Sequence, residues 1–108
     1  MDRDQLRIEV EHRPVVVKHH DAVIASSEHA LLVHGQRETP IYYLPSADVY
    51  FEQMARTDAV EDFQYYSVTA SGGGVERAAW LVADGCGATL RLVDYVGFDP
   101  DKLHIIAG

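Results

Sequence analysis

Residues 63–83 read FQYYSVTASGGGVERAAWLVA. Two runs within it, Phe63 to Ala70 and Val75 to Ala83, carry the aromatic and β-branched residues that suit a pleated, half-buried surface. Between them stands Ser71-Gly72-Gly73-Gly74, and glycine takes the positive φ of a tight turn without a Cβ clash. The stretch therefore reads as a β-hairpin. Side chains alternate along a strand, so Tyr65 and Tyr66 must face opposite sides, whereas Ala78, Trp80 and Val82 share one face. Small Ala78 would leave room beside the indole.

The same period of two runs outward toward the amino terminus. Leu6, Ile8 and Val10 alternate with Arg7, Glu9 and Glu11, as in a strand with one dry and one wet face. Pro14 interrupts the pattern because it cannot donate to a ladder. Val15 to Lys18 and Ala22 to Ala25 form a second hairpin through His19-His20-Asp21, and Ala30 to Val33 and Ile41 to Leu44 flank a polar turn at Gly35 to Pro40. Ser46 to Asp48 reads as one helical turn followed by a return to extended chain. Ala88 to Tyr95, with Leu90, Leu92 and Val93, suits a short helix before the last strands, Tyr95 to Phe98 and Leu103 to Ile106. The expectation is a mainly β fold with one or two short helical segments, without internal repeat or linker.

A chain of 108 residues is expected to form a single β-rich domain over 1–108, and a domain this small buries somewhat over half of its unfolded surface. Its 47% hydrophobic and 24% charged residues are those of a soluble globule, with no apolar run long enough to span a bilayer. Met1 to Gln5 is charged and lacks the apolar core of a secretory signal, so a cytoplasmic location is expected. Cys86 is the only cysteine, which excludes an intrachain disulfide. Nine basic against seventeen acidic residues give a formal charge of −8, which repels nucleic acid and anionic lipid. Isolated arginines could still hold a small anion.

The aromatic residues are the strongest functional signal. Tyr42, Tyr43, Tyr50 and Phe51 crowd into ten positions, although no Phe, Trp or Tyr occurs before them. Large rings build the core of a small domain, but buried hydroxyls and an indole N–H also demand partners, and a concave apolar site with a few such groups is the usual form of a small-molecule site. A pocket bordered by Tyr43, Tyr66 and Trp80 is expected, with Asp48 fixing ligand polarity and Arg77 at its mouth. The six histidines show neither HExxH nor another metal-ligand spacing, so no metal is expected, nor any cofactor. Asp99-Pro100-Asp101 has the spacing of a magnesium-binding pair, yet Asp then Pro is also the signature of a β-turn. Ser67 lies within a strand rather than a nucleophile elbow, and Cys86 has no basic neighbour in sequence to lower its pKa.

Three stretches in order, IEVEHRPVVVKHHDAVIASSEHALLVHGQRETPIYYLPSADV, YYSVTASGGGVERAAW and YVGFDPDKLHI, resemble the family catalogued as domain of unknown function 427, sometimes filed as a nucleotidyltransferase. The most telling pieces are Tyr42-Tyr43 followed by Pro45 and Asp48-Val49, then Tyr66-Ser67-Val68, Ala78-Ala79-Trp80, and Phe98 before Pro100-Asp101. The resemblance implies two antiparallel sheets leaning together, tent-like, with a pocket between them. It implies no particular reaction. Family members commonly carry a Cys-Pro-x-Lys-Gly type stretch where this chain reads ARTDAVEDFQ, without Cys or Lys. Small-molecule binding is the leading expectation. Its rivals are a group-transfer enzyme, which would need convergent acid, base or metal groups, and an interaction module that forms a homodimer through an exposed edge or aromatic patch.

Overall fold

The computed structural model describes residues 7–69, 74–85 and 87–108. Ten strands lie among them: β1 (Arg7–Val10), β2 (Val15–His19), β3 (Ala22–Ser27), β4 (Leu31–His34), β5 (Ile41–Pro45), β6 (Met54–Val60), β7 (Phe63–Val68), β8 (Val75–Val82), β9 (Tyr95–Phe98) and β10 (His104–Ala107). They form a seven-stranded sheet, β1-β4-β5-β9-β8-β7-β6, and a three-stranded sheet, β10-β2-β3. Neighbouring strands pair antiparallel in both. The expected mainly β architecture of two packed antiparallel sheets is what the chain adopts. Short 3-10 turns at Ser46–Asp48, Phe51–Gln53 and Gly87–Leu92 supply the helical segments. Most of the expected glycine loop, Ser71 to Gly73, and Cys86 lie outside the described residues.

Tight turns explain two of the hairpins. His20, between β2 and β3, and Glu61, between β6 and β7, take φ of 54° and 53°, the left-handed conformation that reverses the chain within two residues.

Strand β6 has no counterpart in the hydrophobic pattern. After Met54 every residue of β6 is exposed, so neither face demands apolar side chains and no period of two is written into ARTDAV. The return to extended chain after Asp48 is also briefer than expected. Val49 makes a single bridge to Ala25, and a second 3-10 turn at Phe51–Gln53 intervenes before β6. Near the carboxyl end, Leu92 is fully buried whereas Leu90 is exposed, because the turn at Gly87–Leu92 presents only one of the two leucines to the sheet.

The central strands of the large sheet are covered on both faces. Its inner face packs Leu44, Val68, Ala79, Val96 and Phe98 against Val15, Val17, Ile24 and Leu103 of the smaller layer and its connections. Its outer face gathers Leu31, Val33, Ile41, Tyr43, Trp80, Val82 and Leu92. The ladder sets one row on that outer face: Tyr65 opposite Trp80, Trp80 opposite Gly97, Gly97 opposite Tyr43, and Tyr43 opposite Leu31.

Gly97 is the gap in this row. A Cβ there would stand 2.6 Å from Trp80 Nε1 and 2.8 Å from Tyr43 Cε2, so the two rings close over a bare backbone. The room beside the indole thus comes from Gly97, not from Ala78. Tyr66 pairs with Ala79 but Val68 pairs with Val75, so β8 carries two extra residues there, and the bulge turns Ala78 into the inner core. Replacing Gly97 by Ala should therefore destabilise the fold by about 1–3 kcal/mol through overpacking, read as a lower urea midpoint with an unchanged slope.

Candidate functional site

Tyr43 and Trp80 meet edge to face, their ring centroids 6.3 Å apart at 79°. Both are buried, and each polar atom is used: Trp80 Nε1–H donates to the Tyr43 hydroxyl at 2.9 Å, which donates to Gln36 Oε1 at 2.7 Å. Burial raises the Tyr43 phenol above its ordinary pKa, against the opposing pull of these hydrogen bonds, so the hydroxyl stays a neutral donor. The Arg37 guanidinium lies 4.7 Å above the Trp80 ring and reaches Asp99 Oδ2 at 3.3 Å. This pair closes the outer core.

The five side chains expected to converge are distributed over three places. Tyr43 and Trp80 share the outer face. Tyr66 points to the inner one, where its ring packs 5.2 Å from that of Phe51. Asp48 lies beyond the end of β5 and accepts a hydrogen bond from Ser27 Oγ at 2.7 Å. Arg77 sits in the β8 bulge with its guanidinium 4.2 Å over the Tyr65 ring. The physical reason is the alternation of side chains: Tyr65 and Tyr66 cannot serve one cavity, and Trp80 follows Tyr65 by register.

Two clefts lie elsewhere. One, of about 360 Å³, is polar and lined by Pro14, Ser26, Ser27, Glu28, His29 and Asp48. In it Ser27 Oγ accepts the His29 backbone N–H at 2.9 Å while donating to Asp48, so the hydroxyl is committed to shaping the turn rather than poised as a nucleophile. The other, of about 290 Å³, opens between the sheets and is lined by Leu32, Thr39, Pro40, Tyr42, Pro100 and Ile105. Leu32 and Tyr42 reach it from β4 and β5 of the large sheet, and Ile105 from β10 of the small one.

Tyr42 is the residue that sequence reasoning passed over in favour of its neighbour. Its hydroxyl donates to Glu11 Oε1 at 2.8 Å. Arg13 grips the same carboxylate through Nε at 3.0 Å, Nη2 at 3.1 Å and its backbone N–H at 3.1 Å. These bonds, led by the Arg13 side chain and then the Tyr42 hydroxyl, pull the Glu11 pKa from 4.5 to about 2. Burial and then the Glu11 carboxylate raise the Tyr42 phenol.

The Asp99-Pro100-Asp101 segment is a turn. Asp99 Oδ1 accepts the Asp101 N–H at 2.9 Å, and its backbone carbonyl accepts from Lys102 and Leu103. Among the described residues no group of three or more His, Cys, Asp or Glu side chains is placed to hold a metal ion. No described helix is long and apolar enough to cross a membrane.

The model of the family described as domain of unknown function DUF427 matches residues 7–107. The chain belongs to this family. No curated protein matches it. In this DUF427 protein the interval that lacks the Cys-Pro-x-Lys-Gly type stretch is strand β6 and its turn into β7, on the sheet edge. The inter-sheet cleft is built instead from the amino-terminal half and the segment following β9.

Tyr43→Phe would leave the buried Trp80 N–H without its acceptor, and should cost about 1–3 kcal/mol. The double variant Tyr43→Phe/Trp80→Phe should recover part of that loss in a denaturation cycle. Glu11 gives a pH signature of definite sign. Its folded pKa of about 2 lies below the ordinary 4.5, so its contribution is complete above about 4.5 and is lost as pH falls toward 2. Wild type should exceed Glu11→Gln in stability at neutral pH, and the gap in melting temperature should close across that acid window.

Proposed function

We propose that this DUF427 protein binds a small, mainly apolar molecule in the cleft between its two sheets. The observation that carries the reading is the lining itself. Leu32, Pro40, Pro100 and Ile105 supply apolar walls, and Tyr42 and Thr39 supply the polar groups. Such a division, with a few placed hydroxyls among hydrophobic side chains, is that of small-molecule sites in general. The cleft volume lies at the lower edge of the range of ~300–1,000 Å³ usual for ligand pockets, which favours a ligand the size of a single ring. Tyr42 is held ready for it, since the Glu11 and Arg13 contacts fix the phenol before any ligand arrives and so reduce the ordering cost of binding.

Tyr43 and Trp80 support the reading indirectly, by holding the outer face rigid behind the strand that carries Tyr42. Tyr66 and Asp48 act at other points of the same sheet and its edge. The alternative of a group-transfer enzyme calls for convergent acid, base or metal groups, and of the residues lining this cleft only Tyr42 carries a titratable side chain.

Nuclear magnetic resonance with phenol and indole as probes tests the proposal. Saturable shifts should centre on Leu32, Tyr42 and Ile105. Thr39→Trp, a change at an exposed position on the rim, should fill the cleft and abolish them with little change in melting temperature. Shifts that ignore this substitution, or that map elsewhere, would refute the assignment.

A further inference from the structure

The outer face of the large sheet carries two guanidinium groups on two neighbouring rings. Arg37 covers Trp80 with its Cζ 4.7 Å from the ring centroid, and Arg77 covers Tyr65 at 4.2 Å. Tyr65 and Trp80 are cross-strand partners whose centroids lie 6.3 Å apart. In a chain of net charge −8 two arginines thus lie on adjacent rings, each with one carboxylate nearby.

Neither guanidinium is closed off by its carboxylate partner. Arg37 uses Nη1 toward Asp99 Oδ2 at 3.3 Å, and the other Asp99 oxygen is occupied by the Asp101 N–H. Arg77 Nη2 stands 3.7 Å from Asp58 Oδ2, too far for a hydrogen bond, and both of those side chains are about half exposed. The exposed Arg77–Asp58 contact contributes little, whereas a planar fork offers paired donors to an oxyanion.

The backbone at Arg77 is also unusual. Its φ is 52°, a left-handed conformation that is unfavourable for a Cβ-bearing residue. It occurs within the β8 bulge, and the Arg77 backbone N–H is held by Ser67 Oγ at 3.2 Å. A bulge of this type re-aims a side chain, and here it delivers Arg77 onto the Tyr65 ring beside the Arg37–Trp80 stack.

We propose that Arg37 and Arg77, seated on Trp80 and Tyr65, form a binding seat for a small multiply charged oxyanion such as a phosphate or a dicarboxylate. The anion displaces the loosely placed Asp58 carboxylate from Arg77 and takes hydrogen bonds from that fork and from the Arg37 donors that Asp99 does not use. The rings keep the two forks oriented in its absence. This seat lies across the sheet from the inter-sheet cleft and does not depend on it.

Trp80, the single tryptophan, reports on the seat directly. Inorganic phosphate and succinate, titrated separately into the full chain, should each or singly give a saturable change in its fluorescence that sodium chloride at matched ionic strength does not. The anion that saturates identifies the source. Arg77→Gly removes the guanidinium while relieving the left-handed backbone, so it should keep or raise the melting temperature yet weaken the binding about tenfold or more, the loss of one charge-assisted partner. Arg37→Gln should weaken it similarly, read by calorimetry because this change alters the indole signal itself. Responses identical to those with chloride, or an unchanged midpoint in Arg77→Gly, would overturn the assignment.

Discussion

The hydrogen bond from Trp80 to the Tyr43 hydroxyl spans a strand, and it exists because that strand carries glycine at position 97. Three strands, β5, β9 and β8, are thereby tied through side chains as well as through their ladders. The indole and phenol fill the volume that any side chain at 97 would claim, and Gln36 completes the chain of donors. A buried polar network satisfied at every atom specifies one arrangement, since any shift leaves a donor unpaired in a dry layer. The outer core, the path of the loop bearing Gln36 and Arg37, and the orientation of the Tyr65 row all follow from that closure.

A sheet packed on both faces has a consequence for adjacent aromatics. Tyr42 and Tyr43 are successive, so one must enter the space between the sheets and the other the outer layer. The same holds for Tyr65 and Tyr66. In the first pair the ring that enters the outer layer is consumed by packing, and the one that enters the inter-sheet space is left partly open. That division gives the two residues of a single dipeptide different surroundings: Tyr43 is fully buried, and Tyr42 lines a cleft with its hydroxyl anchored to Glu11.

The two proposed binding regions differ in chemistry for the same reason. Between the sheets, the cleft walls are mainly apolar, with Tyr42 and Thr39 as the polar groups. On the outer face, arginines reach over rings that the core has already fixed, so charge sits on a rigid apolar floor. One sheet therefore presents an apolar recess on one side and a pair of ring-seated arginines on the other.

By itself the sequence determined the local order: the period of two in β1 to β5, the strands on either side of the glycine loop, the turn at Asp99-Pro100-Asp101, and the motifs that place the chain in the DUF427 family. These were legible because each rests on residues within a few positions of one another. It also settled that Tyr42 and Tyr43, like Tyr65 and Tyr66, would face apart. Only the tertiary structure decided which of each pair met the small sheet, because that depends on how the second layer docks and not on the strand. It alone revealed β6, whose solvated faces impose no pattern, and the bulge that carries Ala78 away from Trp80 and sends Arg77 onto Tyr65. Gly97 read as an ordinary strand residue until its neighbours were in place. Its role comes from two rings, 17 and 54 positions away in the chain, approaching the same backbone atom.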